Sequence, residues 1–474
     1  MEGLAEMWDA KAALATAPML TLTVGIVLLL MIEILPSLVK ARPFIFVGTI
    51  VGAAWSLIAI SRDDPGYVLD ETFLADQTFA NWGLIFLFST LLAWTFAQRY
   101  YRTAREGRAF IGEHDILMLT TPIGMMLMAG AQDFIVFFVG LELLSIPLYC
   151  LASFRRARND SVEAGLKYFV LGAFAAATFL FGAALIYVDT GTVSIADLRL
   201  AGPQTTLGIA GVALVAASLF FKVSVFPFHL WVPDVYQGSP TPVTVLMATG
   251  TKAAGFAVLL NIAFLIPESA QMIVGIIAVI TMAVGNLGAL VQDDLKRMLA
   301  YSGVAHAGTM LLLVAAQSVS PTDAMSAGLY YMAAYVFTAG GAFGLISWLE
   351  SAGDPFPKIT SLRGLARRRP RVAAALALFM LSLGGIPATG GFLGKWFVFS
   401  IAVRADMIGL AIIGILFSVV ALGYYLRVVV AIYMEPEPEG QAPPMTPRLS
   451  AAIATGICVA MVLLLGLLPG LFIG

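Results

Sequence analysis

Long apolar segments constrain this chain more than any other feature of its sequence. A helix needs about 20 mainly apolar residues to cross the hydrocarbon core of a membrane, and such segments recur from residue 18 to residue 472. Within a bilayer only helices and closed barrels satisfy their own backbone hydrogen bonds. The sequence therefore predicts an all-α polytopic membrane protein with about fourteen transmembrane helices, at 18–38, 43–61, 81–98, 116–131, 134–154, 163–188, 205–228, 240–266, 269–291, 296–317, 322–349, 371–403, 407–433 and 448–472.

The composition supports lipid as the main solvent and excludes several other classes of protein. The 474 residues are 60% hydrophobic and only 12% charged, and the mean hydropathy is +0.91. So few charges do not cover a soluble protein of this length, and a net charge of −2 offers no strongly basic surface for nucleic acid. Cys150 and Cys458 form no CxxC pair, so the sequence contains no cysteine pattern for an iron–sulfur cluster or a haem.

Lysine and arginine are distributed unequally between the connections. The connections after odd-numbered helices hold eighteen, namely Lys40, Arg42, Arg99, Arg102, Arg105, Arg108, Arg155, Arg156, Arg158, Lys296, Arg297, Lys358, Arg363, Arg367, Arg368, Arg369, Arg371 and Arg448. The termini and the other connections hold four, namely Lys11, Arg62, Arg199 and Arg404. Because basic residues collect on the cytoplasmic side, this bias predicts both termini on the periplasmic side. With no cleavable signal or transit peptide at the start, it favours a bacterial inner membrane.

Four charged residues lie deep inside predicted helices: Glu142 in helix five, Lys222 in helix seven, Lys252 in helix eight and Lys395 in helix twelve. A charge at the middle of a membrane costs about 2.5–3.5 kcal/mol on insertion scales, and it commonly marks an ion or proton pathway. Static ion pairs that fix helix packing are the alternative, but one glutamate neutralises only one of three lysines. Because burial destabilises an ammonium group and a nearby carboxylate stabilises it, movement of Glu142 relative to Lys222 would control release of a proton. We interpret the four residues as a proton relay.

Helices seven and twelve are predicted to be interrupted. Helix seven runs into Pro227 and Pro233, and helix twelve contains the glycine-rich segment 384–394 around Pro387. Unwound backbone at membrane depth is tolerated only inside protein or beside a wet cavity, and paired broken helices mark ion sites in transporters. Because the two helices are five apart, helices 4–8 and 9–13 are predicted to be inverted repeats. The predicted units are residues 1–115 (helices 1–3), 116–266 (helices 4–8), 269–433 (helices 9–13) and 434–474 (helix 14).

Other polar residues are candidates for supporting roles. His306 in helix ten is either a relay group or a hydrogen-bonded packing residue. His229 and Asp234, just past the break in helix seven, form either a site of proton uptake or part of the membrane interface. The acidic and imidazole groups of residues 113–115 suggest a metal only weakly, and we expect them on a solvated loop.

Five segments of the chain resemble the antiporter-like membrane subunits of respiratory complex I, the proton-pumping NADH:quinone oxidoreductase. They are FVGLELLSIPLYCLA, KVSVFPFHLWVPDVYQGSPTPVT, the Lys252 segment, LKRMLAYSGVAHAG and GGIPATGGFLGKW, and the resemblance covers essentially the whole chain. It implies that Glu142 pairs with Lys222, that Lys252 is the central relay lysine, and that Lys395 serves the outward half-channel. The lysines in helices eight and twelve, and an end at helix fourteen, set the chain apart from the sister subunits L and M.

Helix eleven departs from the pattern of this family. Where the family links the central and distal lysines, helix eleven offers only Tyr330, Tyr331 and Tyr335 among its polar groups at that depth. The resemblance therefore implies that His306 and water make this link in the present chain.

The resemblance also implies a function and partners. The chain would be a proton-translocating subunit of the membrane arm, part of the oxidoreductase but without a redox site, cofactor or metal of its own. NADH, flavin, iron–sulfur clusters and quinone would belong to other subunits, and the partners would be the other membrane subunits, including sister antiporter-like subunits, and membrane lipids. A subunit of a multisubunit cation/proton antiporter or of a membrane-bound hydrogenase is the main alternative, and a transporter of an organic solute is a second.

Overall fold

The computed structural model describes residues 9–103, 111–317, 319–350, 358–437 and 449–471. Over these residues the chain is almost entirely helical, and twelve helices are long and apolar enough to cross a membrane. The predicted class, an all-α polytopic membrane protein, is confirmed, while the number of fourteen spans stays a prediction. Among the basic loop residues, Arg105, Arg108 and Arg448 lie outside the described parts of the chain.

The N-terminal part contains three long helices and a small hairpin. In chain order they are α1 (Ala10–Ile34), α2 (Arg42–Asp63), β1 (Gly66–Val68), β2 (Phe73–Ala75) and α3 (Gln77–Thr103). The two strands pair antiparallel, with Tyr67 opposite Leu74. Sequence reasoning assigned no structure to this connection. Its buried residues, among them Phe73, tie the connection to the end of the helix bundle.

The next part corresponds to predicted helices four to eight. It contains α4 (Ile111–Gly130), α5 (Phe134–Ala152), α6 (Asn159–Thr190), the short α7 (Ile195–Leu200), α8 (Thr206–Val223), α9 (Trp231–Gly238), α10 (Thr241–Ala248) and α11 (Gly250–Ile262). Helix seven is broken between α8 and α9, as predicted, although its second half lies beyond the predicted range of 205–228. Helix eight is also divided, at Thr249, which was not predicted.

The last part corresponds to predicted helices nine to fourteen. It contains α12 (Glu268–Leu290), α13 (Leu295–Ala315), α14 (Pro321–Leu349), the short α15 (Leu365–Arg368), α16 (Pro370–Gly384), α17 (Gly390–Arg404), α18 (Ile408–Tyr433) and α19 (Leu449–Leu467). The predicted long helix twelve over 371–403 is two helices, α16 and α17. The predicted interruption is thus present.

The first halves of both broken helices end in the same way. Ser224 follows α8 with φ +73° and Gly385 follows α16 with φ +84°. In each case the N–H of the next residue donates to the carbonyl five residues earlier, at 2.8 Å after α8 and 3.1 Å after α16. A left-handed residue with this bond is the Schellman end of a helix. The two interruptions therefore have the same backbone geometry.

Two connections are also built alike. Asp133 caps the start of α5 with its side chain and forms an isolated bridge to Ser194, in the connection after α6. Asp294 caps the start of α13 and bridges in the same antiparallel sense to Lys358, in the connection after α14. Each capping aspartate satisfies backbone N–H groups that have no partner within the helix. The start of helix five and the start of helix ten are thus anchored by equivalent contacts.

The degree of burial shows which helices occupy the centre. In the 18-residue apolar window of each span, all residues are buried in Thr241–Leu265 and 94% in Leu295–Ala315, whereas only 28% are buried in Ile408–Tyr433. Peripheral helices expose large apolar side chains such as Trp55 and Phe174. An apolar exterior of this kind suits lipid. Helices eight and ten therefore form the centre of the bundle, and the candidate site residues lie on and around them.

Candidate functional site

Lys222 lies in the last turn of α8, directly before the break, and its side chain is buried. Its ammonium group donates to Ser145 Oγ of α5 at 2.7 Å and to the Tyr168 hydroxyl of α6 at 3.4 Å. The Tyr168 ring stacks on Trp231 of α9, with ring centroids 4.6 Å apart. Hydroxyls from two helices therefore hold the ammonium group, and one of them packs against the second half of the broken helix.

Glu142 lies on α5, three residues before Ser145, and its side chain is partly exposed. Among the described residues it forms no ion pair with Lys222, although the two charges interact electrostatically. Its buried Oε1 atom has no hydrogen-bond partner among the described residues. Ser145, at 2% exposure, takes the contact that the sequence assigned to Glu142, because Ser145 faces the interior while Glu142 lies at the edge of α5.

Lys252 lies in α11 and is 2% exposed. Its Nζ donates to the carbonyl oxygen of Gly303 on α13 at 2.6 Å. A Cβ atom on Gly303 would stand 2.8 Å from Lys252 Nζ and 3.1 Å from the Tyr335 hydroxyl. The missing side chain of this glycine is therefore what admits the ammonium group. No carboxylate within the described ranges forms an ion pair with it.

His306 lies one turn beyond Gly303 on α13 and is buried. Its Nδ1 lies 2.6 Å from the Tyr331 hydroxyl of α14, and its Nε2 lies 3.2 Å from the Tyr425 hydroxyl of α18. The Tyr425 hydroxyl is also 2.5 Å from Ser302 Oγ. One turn of α13 therefore carries the carbonyl that holds Lys252 together with Ser302 and His306. These two side chains form a hydrogen-bonded chain with tyrosines of α14 and α18.

Lys395 lies in α17, just after the break in helix twelve, and is 8% exposed. Its Nζ donates to the carbonyl oxygens of Leu383 at 3.0 Å and Gly384 at 3.2 Å. These carbonyls belong to the last turn of α16, where no helical N–H remains to bind them. The break in helix twelve thus supplies the hydrogen-bond acceptors for its own lysine.

Two small cavities, each of about 10 Å³, meet at His306. The first lies between α12, α13 and α18, and its polar lining consists of Asn286, His306, Thr309, Lys395, Ser418 and Tyr424. The second lies against α14 and the break in helix twelve, and its polar lining consists of His306, Tyr331, Tyr335, Thr338 and Ser382. Polar cavities with several hydrogen-bonding groups hold water in proteins. His306 therefore borders both cavities, and the first of them also reaches Lys395.

His229 and Asp234 do not join this line of lysines. Asp234 forms ion pairs with Arg297 at 2.6 Å and with Lys167 at 2.9 Å. Partial burial opposes ionisation of Asp234, but these two cations outweigh it and hold the pKa of the carboxyl below its ordinary value. His229 is buried, and its Nδ1 has no partner among the described residues. The two ion pairs of Asp234 connect α9 to α6 and α13.

Residues 113–115 are not on a solvated loop, which corrects the expectation from the sequence. They lie in the first turns of α4, where His114 and Asp115 are fully buried. The indole N–H of Trp94 donates to Asp115 Oδ1 at 3.0 Å. Helix four begins earlier than predicted because its first turns are covered by α3 and not by water. Across the described ranges, no cluster of three metal-ligating side chains is present.

Sequence reasoning missed the groups that hold the lysines. Ser145 gave a usable signal, since it is a polar residue one turn from Glu142 in an apolar helix. Gly303 gave a weaker signal as a glycine inside helix ten. Tyr168 and Tyr425 gave none, because their contacts depend on how α6 and α18 pack against the centre.

Residues 131–421 match a family described as "NADH:quinone oxidoreductase/Mrp antiporter, TM". The match includes Glu142, the three buried lysines and both broken helices. It covers most of the region predicted to contain the two repeats, residues 116–266 and 269–433.

Similar proteins extend the match to nearly the full length. NADH-quinone oxidoreductase subunit N of Myxococcus xanthus is 39% identical over 507 aligned residues, covering 96% of this chain and 95% of the relative. The same-named protein of Trichlorobacter lovleyi is 41% identical, covering 88% of this chain and 86% of the relative. Both of these relatives carry the name of subunit N.

Solved structures give the same fold. A chain of respiratory complex I from Thermus thermophilus with bound aureothin has a TM-score of 0.83 and 35% identity, covering 96% of this chain and 98% of that one. A chain of the Mrp complex from a Dietzia species has a TM-score of 0.84 at 23% identity, covering 98% of this chain and 96% of that one. At that identity the second likeness concerns the fold alone.

Proposed function

The chain belongs to the NADH:quinone oxidoreductase/Mrp antiporter transmembrane family, and from this premise we propose that it is a proton-translocating membrane subunit of a complex I-type oxidoreductase. The observation that carries the proposal is the line of three buried lysines, none of which has a carboxylate ion-pair partner in the described chain. Charges buried in this way are costly, and in membrane proteins they mark ion pathways.

The relay begins at Lys222 and ends at Lys395. Lys222 keeps its proton while Ser145, Tyr168 and the nearby charge of Glu142 stabilise the ammonium group. A shift of Glu142 or of the α9 segment removes part of that stabilisation, and the buried charge then favours loss of a proton.

The second half of the relay connects Lys252 to Lys395. Lys252 passes its proton through the cavity waters and the His306 chain to Lys395, from which it leaves on the other side. Moving one charge against about 150–200 mV requires about 3.5–4.6 kcal/mol. Redox chemistry in partner subunits supplies that energy and reaches this chain as a conformational or electrostatic change. We assign NADH, flavin, iron–sulfur clusters and quinone to those partners, which include sister antiporter-like subunits.

We propose the inner membrane of a bacterium as the location, with both termini on the periplasmic side. The eighteen basic residues of the odd-numbered connections support this orientation. We also propose residues 116–266 and 269–433 as the two inverted repeats. The matching Schellman ends and the matching aspartate caps support that division.

Substitution of Lys222 tests the proposal. In the assembled complex, reconstituted in vesicles, Lys222→Ala is expected to abolish or strongly reduce pumping-coupled turnover, because the first proton-holding group is lost. The measurement is NADH oxidation together with protons moved per electron. A variant with full turnover and an unchanged proton ratio would contradict the relay.

The alternative is a subunit of a multisubunit cation/proton antiporter, with which the chain shares its fold. Proteomics of the mildly solubilised native complex separates the two. Recovery with an NADH-oxidising, iron–sulfur-containing arm supports the oxidoreductase. Recovery with antiporter subunits only would move the same relay to ion exchange with a different driving force.

A further inference from the structure

Glu350 is a buried carboxylate that the relay described above does not use. It directly follows α14, in the basic connection after helix eleven, and its side chain is 8% exposed. Both of its oxygens accept from the Thr241 hydroxyl at 2.7 Å. Its Oε1 lies 3.9 Å from the ammonium group of Lys296, which is 1% exposed and donates to the carbonyl of Ser239 at 2.8 Å. Glu350 and Lys296 therefore form a buried pair at the basic end of the central helices.

Several charged and titratable groups face this pair. Within the described ranges they are Tyr100 of α3, Arg158 and Asp160 at the start of α6, and Asp294 at the start of α13. Burial raises the pKa of the Glu350 carboxyl above its ordinary value, while Lys296 and the Thr241 hydroxyl oppose that rise. A carboxyl with a raised pKa exchanges protons closer to neutral pH. The pair is therefore suited to hold a proton as well as to fix the helix ends.

A line of hydroxyl groups leads from Glu350 into the bundle. Thr244 lies one turn after Thr241 on α10, and its hydroxyl donates to the carbonyl of Tyr236 at 3.1 Å. The hydroxyl at the far end of the Tyr236 side chain donates to the carbonyl of Met247 at 2.9 Å. The same carbonyl accepts from Thr251, which immediately precedes Lys252. All of these side-chain hydroxyls are buried. Tyr236 also interacts electrostatically with Tyr335, and a Cβ atom on Gly303 would stand 3.1 Å from the Tyr335 hydroxyl and 2.8 Å from Lys252 Nζ. The row of hydroxyls therefore reaches the surroundings of the central lysine, while Lys222 donates to Ser145 and Tyr168 instead.

We propose that Glu350 takes up protons from the basic side of the membrane and supplies them to Lys252 along Thr241, Thr244 and Tyr236. This inference rests on the proposed function and deepens it, since it gives the central lysine a supply that bypasses Lys222. The step is proton transfer alone: an O–H bond on Glu350 breaks as an N–H bond forms on Lys252. The carboxylate then takes its next proton from water. Lys222 controls when Lys252 releases its proton, and Glu350 then supplies Lys252 with a new proton.

Substitutions at both ends of the line test this inference in the assembled complex. A positioned acid–base group contributes about 10²–10⁴-fold to a proton transfer, so Glu350→Gln is expected to lower pumping-coupled turnover about tenfold or more at pH 8. The loss is expected to be smaller at pH 6, where protons are more abundant. Glu350→Asp keeps a titratable group and is expected to recover part of the rate. A merely structural role would leave the pH profile of the remaining turnover unchanged.

Tyrosine variants test the line without altering charge. Tyr236→Phe removes only the hydroxyl and is expected to give the same pH-dependent loss as Glu350→Gln. Tyr330→Phe is the matched control, because its hydroxyl also donates to a backbone carbonyl, that of Leu465, far from this line. We expect the control to pump normally. If Glu350→Gln does not assemble, Tyr236→Phe decides the question alone.

The outcomes separate this inference from the proposed function. If Tyr236→Phe and Glu350→Gln pump with the pH profile of the parent chain while Lys252→Ala does not pump, uptake through Glu350 is wrong and the relay stands. If Lys252→Ala itself pumps normally, the proposed function fails first. If Glu350→Gln and Glu350→Asp lose activity equally at every pH, Glu350 only fixes the helix ends, and the inference is overturned.

Discussion

Ser145 determines where the Lys222 ammonium group rests in this structure. Its hydroxyl accepts the shortest hydrogen bond that Lys222 makes, while Glu142 lies at the edge of the same helix. The hydroxyl also donates to the carbonyl of Leu141, which fixes its direction. Ser145 therefore links the position of helix five to the charge at the break in helix seven.

We expect Ser145→Ala to reduce pumping-coupled turnover, because the ammonium group loses a hydrogen bond of a kind worth about 1.5–3 kcal/mol. Ser145→Thr keeps the hydroxyl and is expected to retain more activity. The measurement is proton translocation by the reconstituted complex. Ser56→Ala is a suitable control, since that hydroxyl donates to the carbonyl of Gly52 within its own helix α2. Equal activity in Ser145→Ala and Ser56→Ala would count against this role.

The space beside Gly303, which the Lys252 ammonium group occupies, leads to a second prediction at the residue scale. Because a Cβ atom there would stand 2.8 Å from Lys252 Nζ, Gly303→Ala is expected to displace the ammonium group and lower turnover toward that of Lys252→Ala. Gly48→Ala adds the same methyl group where nothing lies within 4 Å, and we expect it to be active. Assays of both variants at equal assembly make the comparison. Unimpaired turnover in Gly303→Ala would show that the lysine does not need this position.

At the residue scale, sequence reasoning identified the charges but not their partners. Lys222, Lys252 and Lys395 stand out because a charge inside an apolar segment is visible without a structure. The contacts of Tyr168 and Tyr425 are not visible, because they depend on the rotation and packing of helices distant in the chain. The expected direct pair of Glu142 with Lys222 is absent for the same reason: helical spacing places Ser145 and Glu142 near the same face, and only packing decides which one is buried.

At the element scale, the two broken helices share one backbone design with different residues. Ser224 and Gly385 both adopt the left-handed conformation after their half-helices. That conformation costs a residue with a side chain roughly 1–2 kcal/mol and costs glycine little. At the end of its first half-helix, the break in helix seven therefore carries a local cost that the break in helix twelve avoids at the matching position, although Ala388 further along that break also has a left-handed φ of +68°.

The different residues at these two left-handed positions predict that Gly385→Ala lowers the stability of the protein and that Ser224→Gly raises it. Gly385→Ala is expected to lower the thermal stability of the solubilised protein by roughly 1–2 kcal/mol, with an added effect on Lys395, whose Cδ lies 3.1 Å from the new methyl position. Ser224→Gly is expected to raise stability by a similar amount, because the buried Ser224 hydroxyl has no hydrogen-bond partner among the described residues. Thermal unfolding of both variants is the measurement. A stabilising effect of Gly385→Ala would contradict the conformational argument.

The elements were predicted unequally well. The breaks in helices seven and twelve could be predicted because proline and glycine act locally on the backbone. The division of helix eight at Thr249 has no proline, and Gly250 beside it is a single glycine in an apolar segment, which is a weak signal. The hairpin of β1 and β2 is too short for a periodic pattern. Helix four begins at Ile111, whereas the sequence predicted a start near residue 116. The polar residues 113–115 indicated a loop, and only the contact with Trp94 shows that they are covered.

At the scale of the whole molecule, the distribution of basic residues sets the orientation that we propose. A phosphatase reporter fused to the C-terminus is expected to be active, because that enzyme matures outside the cytoplasm, and a fluorescent reporter inserted in the connection after helix eleven is expected to be bright. Eighteen against four basic residues is the physical reason. The reverse pattern of reporter activity would invert the proposed uptake and release sides together.

The backbone acceptors of Lys252 and Lys395 have a consequence for the chemistry of transfer. Lys395 rests on the last carbonyls of α16, where the macrodipole leaves a partial negative charge of about half an electron, and Lys252 rests on the carbonyl of Gly303. A carboxylate in either place would itself be a base and would compete for the proton it was meant to release. A peptide dipole does not titrate in the physiological range, so it supplies a fixed attraction that is the same before and after transfer. Each lysine can thus lose its proton without protonating the carbonyl that holds it, and that proton remains available for transfer to the next group.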